Sequence, residues 1–251
     1  MSRYLAYSKS GYYGAVAALP LLCVYEALLY LAGTPASGQV RNAADVWLRM
    51  VLASLGATHA QATLAMILLV ALAIPVLRRR GTPLVPGYFG LMALEALGYS
   101  LLLGLAINGL LAFIFYPFSG PGGAAGLTAA LPGRAIAMAM PGATGVGQGI
   151  ALSLGAGLFE EFFFRVVLLS VLLGTARIFL ANWLAAIAAI AGAAFIFALA
   201  HYVGSFAEPL LPHSFLSRWL AGLIFTALYF ARGFAVAAYA HALYDVWVLL
   251  A

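Results

Sequence analysis

Long apolar runs, each close to the length of a bilayer crossing and nearly free of charge, dominate this chain. They fall near residues 11–32, 59–77, 87–117, 148–174, 177–203, 215–232 and 234–251. A helix needs about 20 such residues to cross the hydrocarbon core of a membrane. In lipid every backbone N–H and C=O must be satisfied internally, which leaves helices and closed barrels. The runs here are long and unbroken, not short and alternating, so the pattern predicts helices. The expected fold is all-α, a polytopic transmembrane helical bundle of roughly seven to eight spans. Residues 1–251 read as one integral membrane domain.

The span count turns on residues 42–56, where Asp45 and Arg49 sit among apolar positions. That pattern fits an amphipathic helix lying in the interface better than a crossing. The third run is long enough to tilt, or to break near Gly104 or Gly109. Residues 118–147, rich in Gly, Pro and Ala, read as an extended surface loop, with a gate over an active site as the sharper reading.

Composition narrows the partners. The chain is 65% hydrophobic and 8% charged, with a mean hydropathy of +1.06. This is the balance of a multi-pass protein of a cell membrane, with the lipid bilayer as its surroundings. The net charge of +5 comes from eleven Arg and one Lys. Cations so sparse mark membrane faces, and with no basic patch interleaved with aromatics no nucleic-acid partner is expected. Cys23 is the single cysteine, which excludes an intrachain disulfide or a Cys-based zinc site.

Against this apolar background a few polar residues stand out, because an ionisable group within a span marks a functional site by default. Glu160 and Glu161 are adjacent, and Arg165 lies one helical turn beyond Glu161, close enough to pair with it. With α winding, Glu160 points about 100° away from Glu161. One acid can thus be held by Arg165 while the other is free for proton chemistry. Gly149, Ser153 and Gly157 form a small-residue stripe that admits a neighbouring helix. On the next run Phe197 and His201 share a face, and on the last run His241 and Asp245 do the same. Glu26 and Glu95 also fall within runs, either as neutral hydrogen-bonded side chains or as partners of Arg165.

Hydrolysis of a peptide bond in a membrane requires an activated water and a donor to the developing oxyanion. A carboxylate and a histidine bracketing one water can share the general-base work. A second histidine with a neighbouring amide or acid can steady the oxyanion. Glu160, His201, His241 and Asp245 would supply these parts.

The ordered motifs EExxxR, FxxxH and HxxxD resemble those of the CAAX protease and bacteriocin-processing (CPBP, or Abi) family of intramembrane endopeptidases. The resemblance covers about residues 148–251, the C-terminal half. It implies that Glu160 and His201 activate water, and that Glu161 and Arg165 support or position. It further implies that His241 belongs to an oxyanion hole. The family usually carries Asn where this chain has Asp245. An ionised Asp has no proton to donate, so Asp245 would be protonated, leave the oxyanion to His241, or take another role. The resemblance implies metal-free, glutamic-type chemistry without a cofactor. A zinc site at Glu160, His201 and His241 is the alternative. The implied substrate is a membrane-associated peptide or protein. Two rival functions use the same residues: a proton-coupled transporter, and a catalytically inactive membrane scaffold or immunity protein.

Overall fold

The computed structural model describes residues 2–32, 40–79, 81–115, 145–204, 207 and 209–250. The expected loop or gate at 118–147 lies outside them, but for Gly145, Val146 and Gly147. In chain order the helices are α1 (Ser2–Ser8), α2 (Gly11–Ala32), α3 (Ala43–Ser54), α4 (His59–Leu77), α5 (Pro86–Phe115), α6 (Val146–Phe179), α7 (Asn182–Ala200), α8 (Pro212–Arg232) and α9 (Phe234–Leu250). Six of these, α2 and α4 to α8, are long and apolar enough to cross a membrane. The 17-residue α9 is also apolar, and at 1.5 Å per residue it is about 25 Å long. The chain is an integral multi-pass membrane protein, and counting α9 brings the bundle to the lower end of the expected span number.

Small side chains decide which helices meet. α9 buries Ala235, Val236, Ala237, Ala238, Ala240 and Ala242 together with His241, Tyr244 and Asp245. That burial goes all round the helix, whereas a surface helix buries one stripe. Its short side chains let α2, α5, α6 and α8 pack against it. α5 shows the opposite pattern. Met92, Ala96, Ser100, Leu103, Ile107 and Leu111 form one buried seam, while Leu94, Leu101 and Leu105 face outward. The break expected near Gly104 or Gly109 does not occur, and α5 is continuous. Glycine alone does not interrupt the hydrogen-bond ladder, and in lipid an intact ladder is the least costly arrangement. In α7, Ala185, Ala189, Ala193 and Phe197 line the buried side at spacings of one turn, toward α6 and α8.

The expected amphipathic helix at 42–56 is present as α3, with its charged side turned into the bundle. Asp45 and Arg49 are buried, and Val46, Trp47, Met50 and Val51 are exposed. The cause is Glu26 of α2. Arg49 Nη2 donates to Glu26 Oε1 at 2.5 Å and Arg49 Nε to Asp45 Oδ1 at 2.7 Å. Arg41 donates to Glu26 through both Nη atoms and to Asp45 Oδ2, each at 3.0 Å. Two guanidiniums and two carboxylates thus balance one another, and an ion pair with good geometry can persist away from water. Arg41 lies outside the spans, and its guanidinium is held above its ordinary pKa. Burial opposes the charge, and the hydrogen bonds to Glu26 and Asp45 more than offset it.

Glu26 is therefore neither a neutral side chain nor a partner of Arg165. Glu95 corrects the same expectation: its Oε2 accepts from Arg232 Nε at 2.7 Å, and Arg232 Nη2 reaches Ser8 Oγ at 3.1 Å. Each acid has found an arginine at its own end of the bundle.

Candidate active site

α6 changes its winding where the paired acids lie. Between the α-helical ends Val146–Gly155 and Leu169–Phe179 it is π-helical over Ala156–Glu160 and Phe162–Leu168. Such π segments are rare and occur often at functional sites. The looser turn makes the angle between adjacent side chains smaller than α winding predicts. Glu160 and Glu161 still face different surroundings, Glu161 fully buried and Glu160 half-buried.

The small-residue stripe lies against α9. A Cβ on Gly157 would stand 2.7 Å from Ala242 Cβ and 2.8 Å from Ala242 N. It would be closer still to the Ala238 carbonyl oxygen. Gly149 meets the side chain of Leu249, and Ser153, also buried, donates to Gly149 O at 3.0 Å. The two backbones touch, which brings the acids of α6 against the imidazole of α9.

Glu161 is the centre of the buried network. Its Oε1 lies 3.0 Å from Arg165 Nη1 and 2.8 Å from His241 Nδ1. Nδ1–H of His241 therefore donates to the carboxylate. His241 Nε2 faces Asp245 Oδ2 at 3.6 Å, one turn further along α9. Phe225 of α8 stacks on the His241 ring at 4.3 Å and 21°. The Arg165 guanidinium lies over the Phe197 ring at 4.5 Å, an attractive placement for a cation in an apolar setting.

Phe197 also joins the two histidines. Its ring meets His201 edge-on at 5.0 Å and His241 at 6.1 Å. His201 caps the C-terminus of α7, and its Nδ1 lies 2.9 Å from Phe197 O. A carbonyl can only accept, so Nδ1 carries the hydrogen, and Nε2 of the neutral ring is free to accept one.

Four of the expected residues, Glu161, Arg165, His241 and Asp245, thus form one contiguous chain, to which His201 is linked through Phe197. Glu160 is on the adjacent position of α6, but among the described residues no hydrogen bond or ion pair joins it to His201. Instead Glu160 Oε1 accepts from Asn42 Nδ2 at 2.7 Å. Sequence reasoning missed Asn42 and Phe225. Asn42 carries a local signal as an N-cap, its Oδ1 accepting from Ala44 N at 2.9 Å, but nothing in a single sequence joins it to Glu160.

Among the described residues no three His, Cys, Asp or Glu side chains are grouped as metal ligands. In His241 one ring nitrogen is bonded to Glu161 and the other faces Asp245.

Residues 142–247 match the family model described as type II CAAX prenyl endopeptidase Rce1-like. The matched stretch contains all six of the expected site residues. No curated protein and no solved structure matches the chain.

Proposed function

We propose that the chain, whose residues 142–247 match the Rce1-like model of the CAAX protease family, is an intramembrane endopeptidase acting on a peptide or protein, in which Glu160 and His201 activate the attacking water. The observation that carries this is a difference in access. Glu160 and His201 are half-buried, whereas Glu161, Arg165, His241 and Asp245 are buried. In this reading water reaches the first pair, and the second set holds geometry.

In this reading the Glu160 carboxylate takes a proton from water, with His201 Nε2 accepting the second hydrogen bond, as the water oxygen attacks the peptide carbonyl carbon. His241 Nε2, bearing its proton, donates to the oxyanion that forms, and Asp245 orients that ring. Collapse of the tetrahedral intermediate breaks the C–N bond. The proton held by Glu160 passes to the leaving nitrogen, giving a free amine and a carboxylic acid. Glu161 and Arg165 fix the His241 ring from the far side. The chemistry is of the glutamic type without a metal. The substrate is membrane-associated, since the groups lie within the helical bundle. The whole chain acts as one domain, with α2 and α5 packed on α9.

The test is cleavage of a peptide library by purified protein in detergent, with Glu160→Gln as control and metal analysis of both samples. Loss of cleavage in a folded Glu160→Gln protein, with cleavage by the native chain unaffected by chelator, is the expected result. Cleavage by Glu160→Gln at the native rate overturns the assignment. Proton-dependent flux in proteoliposomes without peptidase activity favours a transporter instead.

A further inference from the structure

We propose that Asn42 is a positioning residue for Glu160, so that the N-terminal half of the chain, outside the family-matched residues, completes the site. This rests on the reading of Glu160 as the group that takes the proton from water.

The amide of Asn42 has its orientation fixed from both sides. Its Oδ1 accepts from Ala44 N at 2.9 Å as the α3 cap, so its Nδ2 is the atom that points at Glu160 Oε1, 2.7 Å away. A carboxylate cannot donate, which agrees with that assignment. The residue is held in turn by the ion cluster. Asn42 N donates to Tyr25 Oη at 3.4 Å, and Tyr25 Oη donates to Asp45 Oδ2 at 2.8 Å. Arg41, the preceding residue, is bound to Glu26 and Asp45.

α6 makes room for this approach. A Cβ on Gly155 would fall 2.5 Å from Tyr25 Cε2 and 3.1 Å from Asn42 Cβ. A glycine thus stands where α2 and α3 lean in, one turn before the paired acids. A glutamate has three side-chain torsions, and an unanchored one would visit many rotamers. Asn42 occupies Oε1 and leaves Oε2 to the water. The Glu26–Arg41–Asp45–Arg49 cluster becomes the foundation of that anchor.

Asn42→Ser and Asn42→Asp both keep an oxygen that can cap α3 and remove the amide donor. They are to be compared with the native chain on a peptide selected from the library, with melting temperature measured in parallel. kcat falls about 10- to 100-fold, as for other residues that orient a reacting group, while KM and the melting temperature hold. Native kcat in both variants overturns the inference, as does a fall in kcat matched by a loss of folded protein in both. Glu160→Gln inactive beside a fully active Asn42→Ser overturns this inference alone. Glu160→Gln active removes the reading beneath it.

A second measurement needs no substrate. In a melting cycle of Asn42→Ser, Glu160→Gln and the double variant, the shifts are non-additive, because the two side chains touch. Additive shifts overturn the proposal. Should Asn42→Asp fail to fold, Asn42→Ser carries both measurements.

Discussion

Gly157→Ala puts one methyl group into the tightest helix contact near the site. The new carbon would stand 2.7 Å from Ala242 Cβ and 2.8 Å from Ala242 N, whereas carbon contacts settle at about 3.5–4.0 Å. The obstacle is α9 backbone and a methyl, neither of which can rotate aside. α6 and α9 must therefore part by about 1 Å to restore contact distances. Overpacking of this kind costs about 1–3 kcal/mol. Replacing a mid-helix glycine with alanine returns about 0.5–1 kcal/mol. The melting temperature should then fall by a few degrees, at about 2–4 °C per kcal/mol for a chain of this size.

Activity is more sensitive than stability. The 2.8 Å bond between Glu161 and His241 spans the same two helices, and a 1 Å separation takes it beyond hydrogen-bonding range. A displacement of that size at a reacting centre lowers the rate by about 100-fold. The assay is peptide cleavage and thermal melting on one detergent preparation, with Gly109→Ala as control, since a Cβ there meets nothing within 4 Å. Native cleavage and unchanged melting in Gly157→Ala would refute the claim that helix separation sets the site geometry.

Three further outcomes follow from the same contacts. Asp245→Asn keeps a hydrogen-bonding group beside His241 Nε2 and preserves most cleavage, whereas Asp245→Leu lowers kcat about 10- to 100-fold; an inactive Asn variant would show that the carboxylate itself is needed. Arg49→Ala strips one cation from a cluster in which Asp45 is 0% exposed, and costs about 3–5 kcal/mol in chemical or thermal denaturation; a loss below about 1 kcal/mol would mean that the cluster behaves like a surface pair. Arg165→Lys keeps the charge but gives up the planar group stacked over Phe197 at 4.5 Å, and both melting temperature and kcat fall; unchanged values in both would remove the stacking from the account.

Much of the architecture could be read from residue order. Uninterrupted apolar runs left helices as the choice, and the run boundaries set the spans to within a few residues. The pairing of Glu161 with Arg165 follows from one-turn spacing, as does the pairing of His241 with Asp245. What could not be read is where opposite charges meet across the chain. Glu26 and Glu95 each look like a lone acid in a greasy segment, and Arg41, Arg49 and Arg232 look like face markers. Only the fold brings them together. The same holds for Asn42 and Glu160, since a contact between them depends on the angle at which α3 leaves α2. The π winding of α6 was also hidden, because no spacing or residue type in the run marks it.

α3 turns its greasy side outward and its salt-bridged side inward, so it meets the surrounding lipid as a float moored to α2. A thinner or thicker bilayer would press on that float, and acyl-chain length becomes a variable that reaches, through a single amide, the glutamate beneath it.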